Sequence, residues 1–179
     1  YVMLRGAYLS PLFPRGCRTS NNLDILVAPE NLSEIGAALI NGGFRQGKVS
    51  EGEFVPVHHT EIINSGMRGE TVHYIKEVNL PHLKYLVADL SFSFGYKGGD
   101  SVKDIINSSS SYVKGELCIP IPCVNDFLIH LCANLYKEAS EYPFIKLKLD
   151  MMLYKYCDIQ FLLNRSGMPD AAGFVRRAE

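Results

Sequence analysis

The chain has 179 residues, of which 47% are hydrophobic and 21% are charged, and 18 Lys and Arg against 19 Asp and Glu give a formal net charge of −1. A chain of this size and composition can bury a substantial core, as one domain or as one domain with a helical appendage. The near-neutral balance excludes a general nucleic-acid-binding signature, which shows as a basic excess or stripe. The overall charge does not exclude a local basic pocket.

The first 50 residues alternate apolar runs that are typical of strands and of helices. We predict strands at residues 1–4, 23–27 and 44–49, and helices at residues 7–13 and 31–40. Residues 14–22 are rich in Pro, Gly, Ser and Asn and predict turns. The Gly42-Gly43 pair is expected to end the second helix.

The middle of the chain predicts more strands. Residues 58–63 and 72–78 are expected to form a hairpin, residues 85–94 (YLVADLSFSF) form the clearest later strand, and residues 95–111 are expected to be loop with a little helix. The run Ile119-Pro120-Ile121-Pro122 predicts a boundary, because two prolines interrupt both helices and central strands.

Two helices are predicted after the prolines, at residues 126–139 and 143–163. We therefore divide the chain into a mixed domain at residues 1–118 and a helical C-terminal region at residues 119–179. The predicted fold class is α+β, a mixed sheet flanked by helices. Because the sequence opens on Tyr1 inside a predicted strand, we expect further residues to precede it.

The number and spacing of the cysteines predict their redox state and the cellular compartment of the protein. Their number is odd and no Cys-x-x-Cys pair occurs, which favours free thiols in a cytoplasmic protein over disulfides or a zinc site. They are Cys17, Cys118, Cys123, Cys132 and Cys157. No apolar run reaches the roughly 18 residues of a membrane span, so we expect no membrane partner.

Polar residues in the predicted strands indicate where chemistry could occur. Residues two apart on a strand share a face, so Asn22 and Asp24 point the same way, and Asp89 lies within another strand. Carboxylates so placed can bind magnesium, and a glycine at a strand-to-helix turn lets a triphosphate approach the backbone. Gly6 occupies such a turn, and Arg18 precedes Asn22 by four residues.

Structural interpretations of the same residues stay open. Asp24 and Asp89 can be structural acids, Arg18 an ordinary loop arginine and Gly6 a tight-turn glycine. The four histidines His58, His59, His73 and His82 are expected to be solvated, since none has metal-ligand spacing with a cysteine. His130 is expected to be a core histidine, and Asp158 to form an ion pair with a nearby lysine.

Four stretches in order carry a resemblance to a known family. They are LRGAYLSPLFPRGCRTSNNLDILV, YLVADLSFSF, FLIHLCANLYKEAS and YKYCDIQFLLN. Together they resemble the uncharacterised bacterial nucleotidyltransferase family, within the DNA polymerase beta-like superfamily. That family shows a Lys-Gly strand end, an Arg before Asp-hydrophobic-Asp, a later strand Asp/Glu-Leu-His-Trp and a helical Leu-His-Leu-x-x-His.

The resemblance implies a nucleotidyltransferase-type sheet and transfer of a nucleoside monophosphate from ATP or another NTP to an acceptor, with Mg²⁺. Asp24 and Asp89 would hold the metal with Asn22 as a weakened third ligand. Gly6 would shape the phosphate turn, and Arg5 or Arg18 would neutralise phosphate charge. The acceptor is open among small molecules, peptides, proteins and RNA ends.

This chain departs from the family pattern at several positions. Arg5 replaces Lys, Ser91 and Phe92 replace His and Trp, and Asn134 replaces the second helical His. Asn22 replaces the first carboxylate of the metal pair, and an amide brings no charge to magnesium. This leaves an impaired enzyme, an engineered inactive form, a non-catalytic nucleotide- or protein-binding module, and one half of a toxin–antitoxin pair as alternatives.

Overall fold

A six-stranded mixed sheet organises the computed structural model, which describes residues 1–20, 22–93, 100–167 and 170–178. The strands are β1 Val2–Met3, β2 Asn22–Leu26, β3 Arg45–Ser50, β4 Glu53–Pro56, β5 Tyr74–Leu80 and β6 Leu83–Ser91, and their order is β1-β2-β6-β5-β3-β4. β2 and β6 run parallel, whereas the other neighbours are antiparallel. The expected mixed α+β architecture is therefore confirmed.

Helices and a separate hairpin surround this sheet. The helices are α1 Gly6–Leu9, α2 Leu32–Asn41, α3 His59–Met67, α4 Asp100–Asn107, α5 Val124–Ser140, α6 Tyr142–Lys146, α7 Leu153–Ser166 and α8 Ala171–Ala178. The hairpin pairs β7 Ser110–Lys114 with β8 Leu117–Ile121. In the described parts of the chain, no helix is both long and apolar enough to cross a membrane.

The core joins the N-terminal strands to the C-terminal helices. Phe127 on α5 is fully buried and lies 5.6 Å, ring centre to ring centre, from Tyr8 on α1. Leu9 and Leu162, from α1 and α7, belong to the same apolar cluster. A second cluster packs α2 on β2 and β6, and a third packs α4 against β1 and β2. Burial of α1 by α5 and α7 fixes the helical region beside the end of β1.

Residues 58–63 do not form the strand that the sequence predicts. Residues from His59 onward belong to α3, and the Glu61 carboxylate accepts a hydrogen bond of 3.3 Å from the His58 backbone N–H. This contact satisfies an amide donor at the helix start. Short apolar runs fit helix and strand equally, and Ile62 and Ile63 are in fact exposed. The hairpin prediction was wrong because the capping residue was read as part of a strand.

The first of the two prolines after Cys118 does not interrupt a strand, whereas β8 ends at Ile121, directly before Pro122. Pro120 lies inside β8 and faces Ser111 of β7. β8 is one strand of a two-stranded hairpin, so its free edge needs no amide donor and tolerates proline. The proposed division between residues 118 and 119 thus falls within β8, and the two-domain organisation stays a prediction.

The second predicted C-terminal helix is interrupted. It consists of α6 and α7, and residues 147–152 between them leave the helical path, with Lys148 at φ +55°. Lys155 on α7 donates hydrogen bonds to the carbonyls of Leu149 and Asp150 and so satisfies the backbone of the break. α8 was not predicted, and its start is capped by a 2.7 Å hydrogen bond from the Gly173 N–H to the Asp170 carboxylate.

The two remaining strand and loop predictions lie partly outside the described residues. β6 begins at Leu83 and ends at Ser91, and Phe94, the end of its predicted range, lies outside the described residues. Residues 95–99 of the predicted loop also lie outside them, whereas α4 supplies the helix expected there.

Candidate functional site

The parallel pairing of β2 with β6 places the two candidate aspartates side by side. Asp24 and Asp89 are direct partners in the register, so their side chains leave the same face of the sheet. Asn22 lies two residues before Asp24 and shares that face. Its amide nitrogen donates a 3.3 Å hydrogen bond to the Asp89 carboxylate. The structure thus brings these three side chains together.

A cleft of about 430 Å³ opens in front of Asn22 and Asp24. Its walls come from β2, from the loop at residues 14–20, and from α5 and α7. The lining residues are Arg5, Cys17, Arg18, Thr19, Ser20, Asn22, Asp24, Leu131, Asn134, Leu135, Tyr154, Lys155 and Asp158. The C-terminal helices therefore form one wall of the cleft.

Each aspartate of the site already has a cationic or potentially cationic neighbour. Arg5 donates a hydrogen bond of 2.8 Å to Asp24, and the His73 Nδ1 lies 2.5 Å from the Asp89 carboxylate. The hydrogen bond to Asp89 raises the pKa of His73 above its usual value, against the opposing effect of burial. For Arg5, burial opposes the charged form, yet the charge and hydrogen bond of Asp24 raise its pKa. The site balances its charge internally.

Arg5 and Gly6 occupy the turn between β1 and α1. Arg5 has φ +37°, a left-handed conformation that is uncommon outside glycine, and its Nε is buried without a hydrogen-bond partner in the structure. A Cβ at Gly6 would lie 2.3 Å from the Ser20 Oγ and 2.9 Å from the Asn22 carbonyl oxygen. Gly6 is therefore required for the close approach of the loop that leads into β2.

Arg18 lies in the cleft wall and is held by α7. Its Nε and Nη2 donate hydrogen bonds of 3.0 and 3.2 Å to the two carboxylate oxygens of Asp158. The side chains are only 14% and 4% exposed, so this pair is largely withdrawn from water. The ion pair expected for Asp158 exists, but its partner is Arg18, 140 residues away, and not a lysine.

Lys155 and Glu138 form a second ion pair beside the cleft. Lys155 on α7 contacts the Glu138 carboxylate of α5, and both side chains are nearly buried. Asn134, which also lines the cleft, donates a 2.9 Å hydrogen bond to Glu138. This pair couples α5 to α7 beneath the cleft and was not singled out from the sequence.

His130 lies on α5 and is partly buried, with its Nε2 withdrawn from solvent, which agrees in part with the expected core position. Burial, together with the nearby positive charge of Arg5, lowers the pKa of His130 to about 3. His73 was expected to be solvated, and although its side chain is 55% exposed it contacts Asp89. No sequence signal links His73 to Asp89, because their contact depends on the pairing of β5 with β6.

The donor set of the site is two carboxylates and one amide oxygen. Oxygen ligands of this kind fit a hard cation such as magnesium, although Asn22 supplies no charge. Among the described residues, no group of three or more His, Cys, Asp or Glu is arranged to hold a metal ion. The residues fit a magnesium ion that receives further ligands from a substrate, since protein magnesium sites commonly use one or two carboxylates plus phosphates.

These features define a nucleotidyltransferase-type fold with a polar cleft beside β2, one of the two parallel strands. Residues 1–179 match the family described as uncharacterised nucleotidyltransferase, and the chain belongs to this family. It is similar to the crystal structure of an antigenic nucleotidyltransferase-like protein from Paracoccidioides brasiliensis, with a TM-score of 0.50 and 10% identity over 98% of this chain and 76% of that one. At this identity the likeness shows the fold alone. No curated protein gives a match.

Proposed function

We propose that the protein transfers a nucleoside monophosphate from ATP or another NTP to an acceptor, with Mg²⁺, and that Asn22 impairs this activity. The observation that carries the proposal is the direct pairing of Asp24 with Asp89 on parallel strands, with Asn22 on the same face. Asp24 opens onto a cleft that also contains arginine and lysine side chains. Family membership adds the reaction class.

The roles of the residues follow from their charge and position. Asp24 and Asp89 would hold magnesium with Asn22 as an uncharged third ligand, and the bound ion would neutralise charge on the reacting phosphates. Arg5 or Arg18 would bind phosphate oxygens, while Gly6 keeps the adjoining loop close. The helical region at residues 119–179 would close one wall of the cleft. The acceptor is unassigned among small molecules, peptides, proteins and RNA ends.

A binding module is the second candidate, and a specific observation favours it. Both aspartates already have partners within the chain: Asp24 pairs with the Arg5 guanidinium, and Asp89 contacts the His73 ring, which is a cation when it is protonated. A cleft with balanced charges can bind a nucleotide or a partner protein without catalysing a reaction.

The five cysteines are free in the structure, which agrees with a reducing compartment such as the cytoplasm for either function.

Restoring the missing carboxylate tests the proposal. In the Asn22→Asp variant the added charged oxygen should increase the affinity for magnesium and ATP, measured by calorimetric titration. Label from α-labelled ATP should then be transferred to acceptors offered by class, with release of pyrophosphate. The matched control is Asn64→Asp, which adds the same charge at an exposed position of α3 away from the lining of the cleft.

The outcomes separate the two candidates. Tighter binding and transfer in Asn22→Asp alone support the enzyme. Equal binding of magnesium-ATP to the native protein and both variants, without transfer, supports the binding module. If no form binds magnesium-ATP, the nucleotide assignment fails and only the fold stands.

A further inference from the structure

We propose that Asp158 is a positioning residue of the cleft. Of the two arginines that the proposed function leaves open as phosphate ligands, Arg18 is then the partner of Asp158 in a side-chain strut, which leaves Arg5 for the phosphate. The strut fixes the loop at residues 14–20, which lines the cleft together with the C-terminal helices. The effect on nucleotide binding rests on the proposed function, whereas the effect on the loop does not.

The contacts of Arg18 leave little of its guanidinium for a substrate. Two nitrogens bind the two oxygens of Asp158 in a side-by-side arrangement, and Nη1 donates to the Thr19 carbonyl. The guanidinium carbon also lies 5.0 Å from the centre of the Tyr154 ring. Bidentate arginine–carboxylate pairs define orientation as well as adding stability. A phosphate would have to displace Asp158 to reach Arg18 in the same manner.

Among the described residues, the other contacts that hold the loop lie at its two ends. Its apolar anchor is Phe13, which precedes it and stacks on Phe161 of α7 at 4.2 Å between ring centres. At its far end Ser20 fits against Gly6 and donates a 2.9 Å hydrogen bond to the Asn22 carbonyl. Most residues between these ends are exposed, and Arg18 is a partly buried exception. The Arg18–Asp158 pair is thus the mid-loop attachment.

The location of this attachment explains why it affects the site. The loop leads directly into β2, where Asn22 and Asp24 lie two and four residues beyond Ser20. Asp158 belongs to α7, so the pair joins two elements that line the cleft, the loop and α7, through their side chains. Loosening this connection would widen the range of positions of the loop and of the start of β2. Misplacement of about 1 Å in a reactive site can cost as much as a hundredfold in rate.

The assignment predicts the sign of two substitutions. If Arg18 were a phosphate ligand restrained by Asp158, Asp158→Asn would free it and strengthen binding of magnesium-ATP, while Arg18→Gln would weaken it. If the pair is a strut, each variant removes the same contact. Both should then weaken binding by about tenfold, and the double variant should be no worse than either single one.

The experiment combines hydrogen exchange of the full chain without ligand with calorimetric titration of magnesium-ATP. Asp158→Asn and Arg18→Gln should accelerate exchange in residues 14–20 while β5 and β6 keep their protection. A general loss of stability would instead accelerate exchange in β5 and β6 as well. Asp158→Glu retains the carboxylate and should restore both protection and affinity. Asp104→Asn, which removes a charge from an exposed position on α4, is the matched control and should resemble the native protein.

Three results would overturn the proposal. They are unchanged exchange in residues 14–20 in both variants, tighter binding of magnesium-ATP by Asp158→Asn, and an affinity loss in the double variant equal to the sum of the single losses. If one single variant does not fold, the other and Asp158→Glu still decide the exchange result. If even Asn22→Asp binds no magnesium-ATP, the proposed function fails while the exchange measurement still tests the strut.

Discussion

Removing the positive charge beside Asp24 should strengthen binding of a divalent cation and weaken binding of a nucleotide. Arg5 donates to Asp24 at 2.8 Å, so a cation that binds this carboxylate must first displace the guanidinium. Arg5→Met removes the charge and retains an apolar stem of similar length. Arg5→Lys retains the charge and serves as the control.

The size of the effect follows from the exposure of the pair. A hydrogen bond between charged groups contributes about 1.5–3 kcal/mol when it is well shielded from water. The Arg5 and Asp24 side chains are 30% and 14% exposed, so the lower end of this range applies. About 1.4 kcal/mol corresponds to a tenfold change in an equilibrium constant. We therefore expect Arg5→Met to bind the cation about tenfold more tightly than the unsubstituted protein.

The assay is calorimetric or paramagnetic titration with Mn²⁺ as the probe ion, in the native chain and in Asn22→Asp. Magnesium-ATP is titrated separately, and its affinity should fall in Arg5→Met because a phosphate-binding cation is lost. Arg5→Lys should leave both affinities within a few-fold of the native values. An unchanged or weaker affinity for Mn²⁺ in Arg5→Met would show that Arg5 does not compete for Asp24.

Two further predictions concern stability. The pKa of His130 is about 3 in the folded chain and near 6.5 in the unfolded chain. The neutral ring therefore contributes to the free energy of unfolding above pH 6.5. This contribution is lost as the pH falls towards 3, by up to about 1.4 kcal/mol per pH unit, because the unfolded chain binds the proton first. Urea unfolding should therefore show a smaller loss between pH 7 and 4 for His130→Leu than for the native chain, and parallel losses would refute this. Arg177→Gln breaks hydrogen bonds of 2.6 and 3.0 Å to the buried Asp126 and should lower the free energy of unfolding by about 2–3 kcal/mol. The exposed neighbour variant Arg176→Gln should change it by less than about 0.5 kcal/mol, and equal effects of the two would contradict the assignment.

The sequence predicts those features that depend on local pattern. β2 and β6 are apolar runs with an acidic residue at one position, and the parallel register then places Asp24 next to Asp89. α2 ends at Asn41, just before the predicted Gly42-Gly43 stop. Strand-to-helix alternation and glycine punctuation require no knowledge of distant residues.

The features that the sequence does not predict depend on distant contacts or on ambiguous short runs. The Arg18–Asp158 pair spans 140 residues, and the contact of His73 with Asp89 exists only because β5 pairs with β6. The break between α6 and α7 falls within a stretch that we predicted as one helix, and Lys155 stabilises it by donating to backbone carbonyls five and six residues earlier. Periodicity carries no information on a side chain that satisfies the carbonyls of a helix break.

Internal charge balance offers a physical account of a cleft that tolerates Asn22. Three cationic side chains at the cleft, Arg5, Arg18 and Lys155, each contact one carboxylate, which belongs to Asp24, Asp158 or Glu138. The remaining carboxylate, Asp89, is contacted by the side chain of His73 and by the amide of Asn22. An aspartate at position 22 would bring a second negative charge to Asp89 in place of that amide donor. Two adjacent carboxylates repel each other unless a cation or a proton lies between them. An amide at this position therefore favours the metal-free fold, and the same amide weakens the affinity for the metal that the proposed reaction requires.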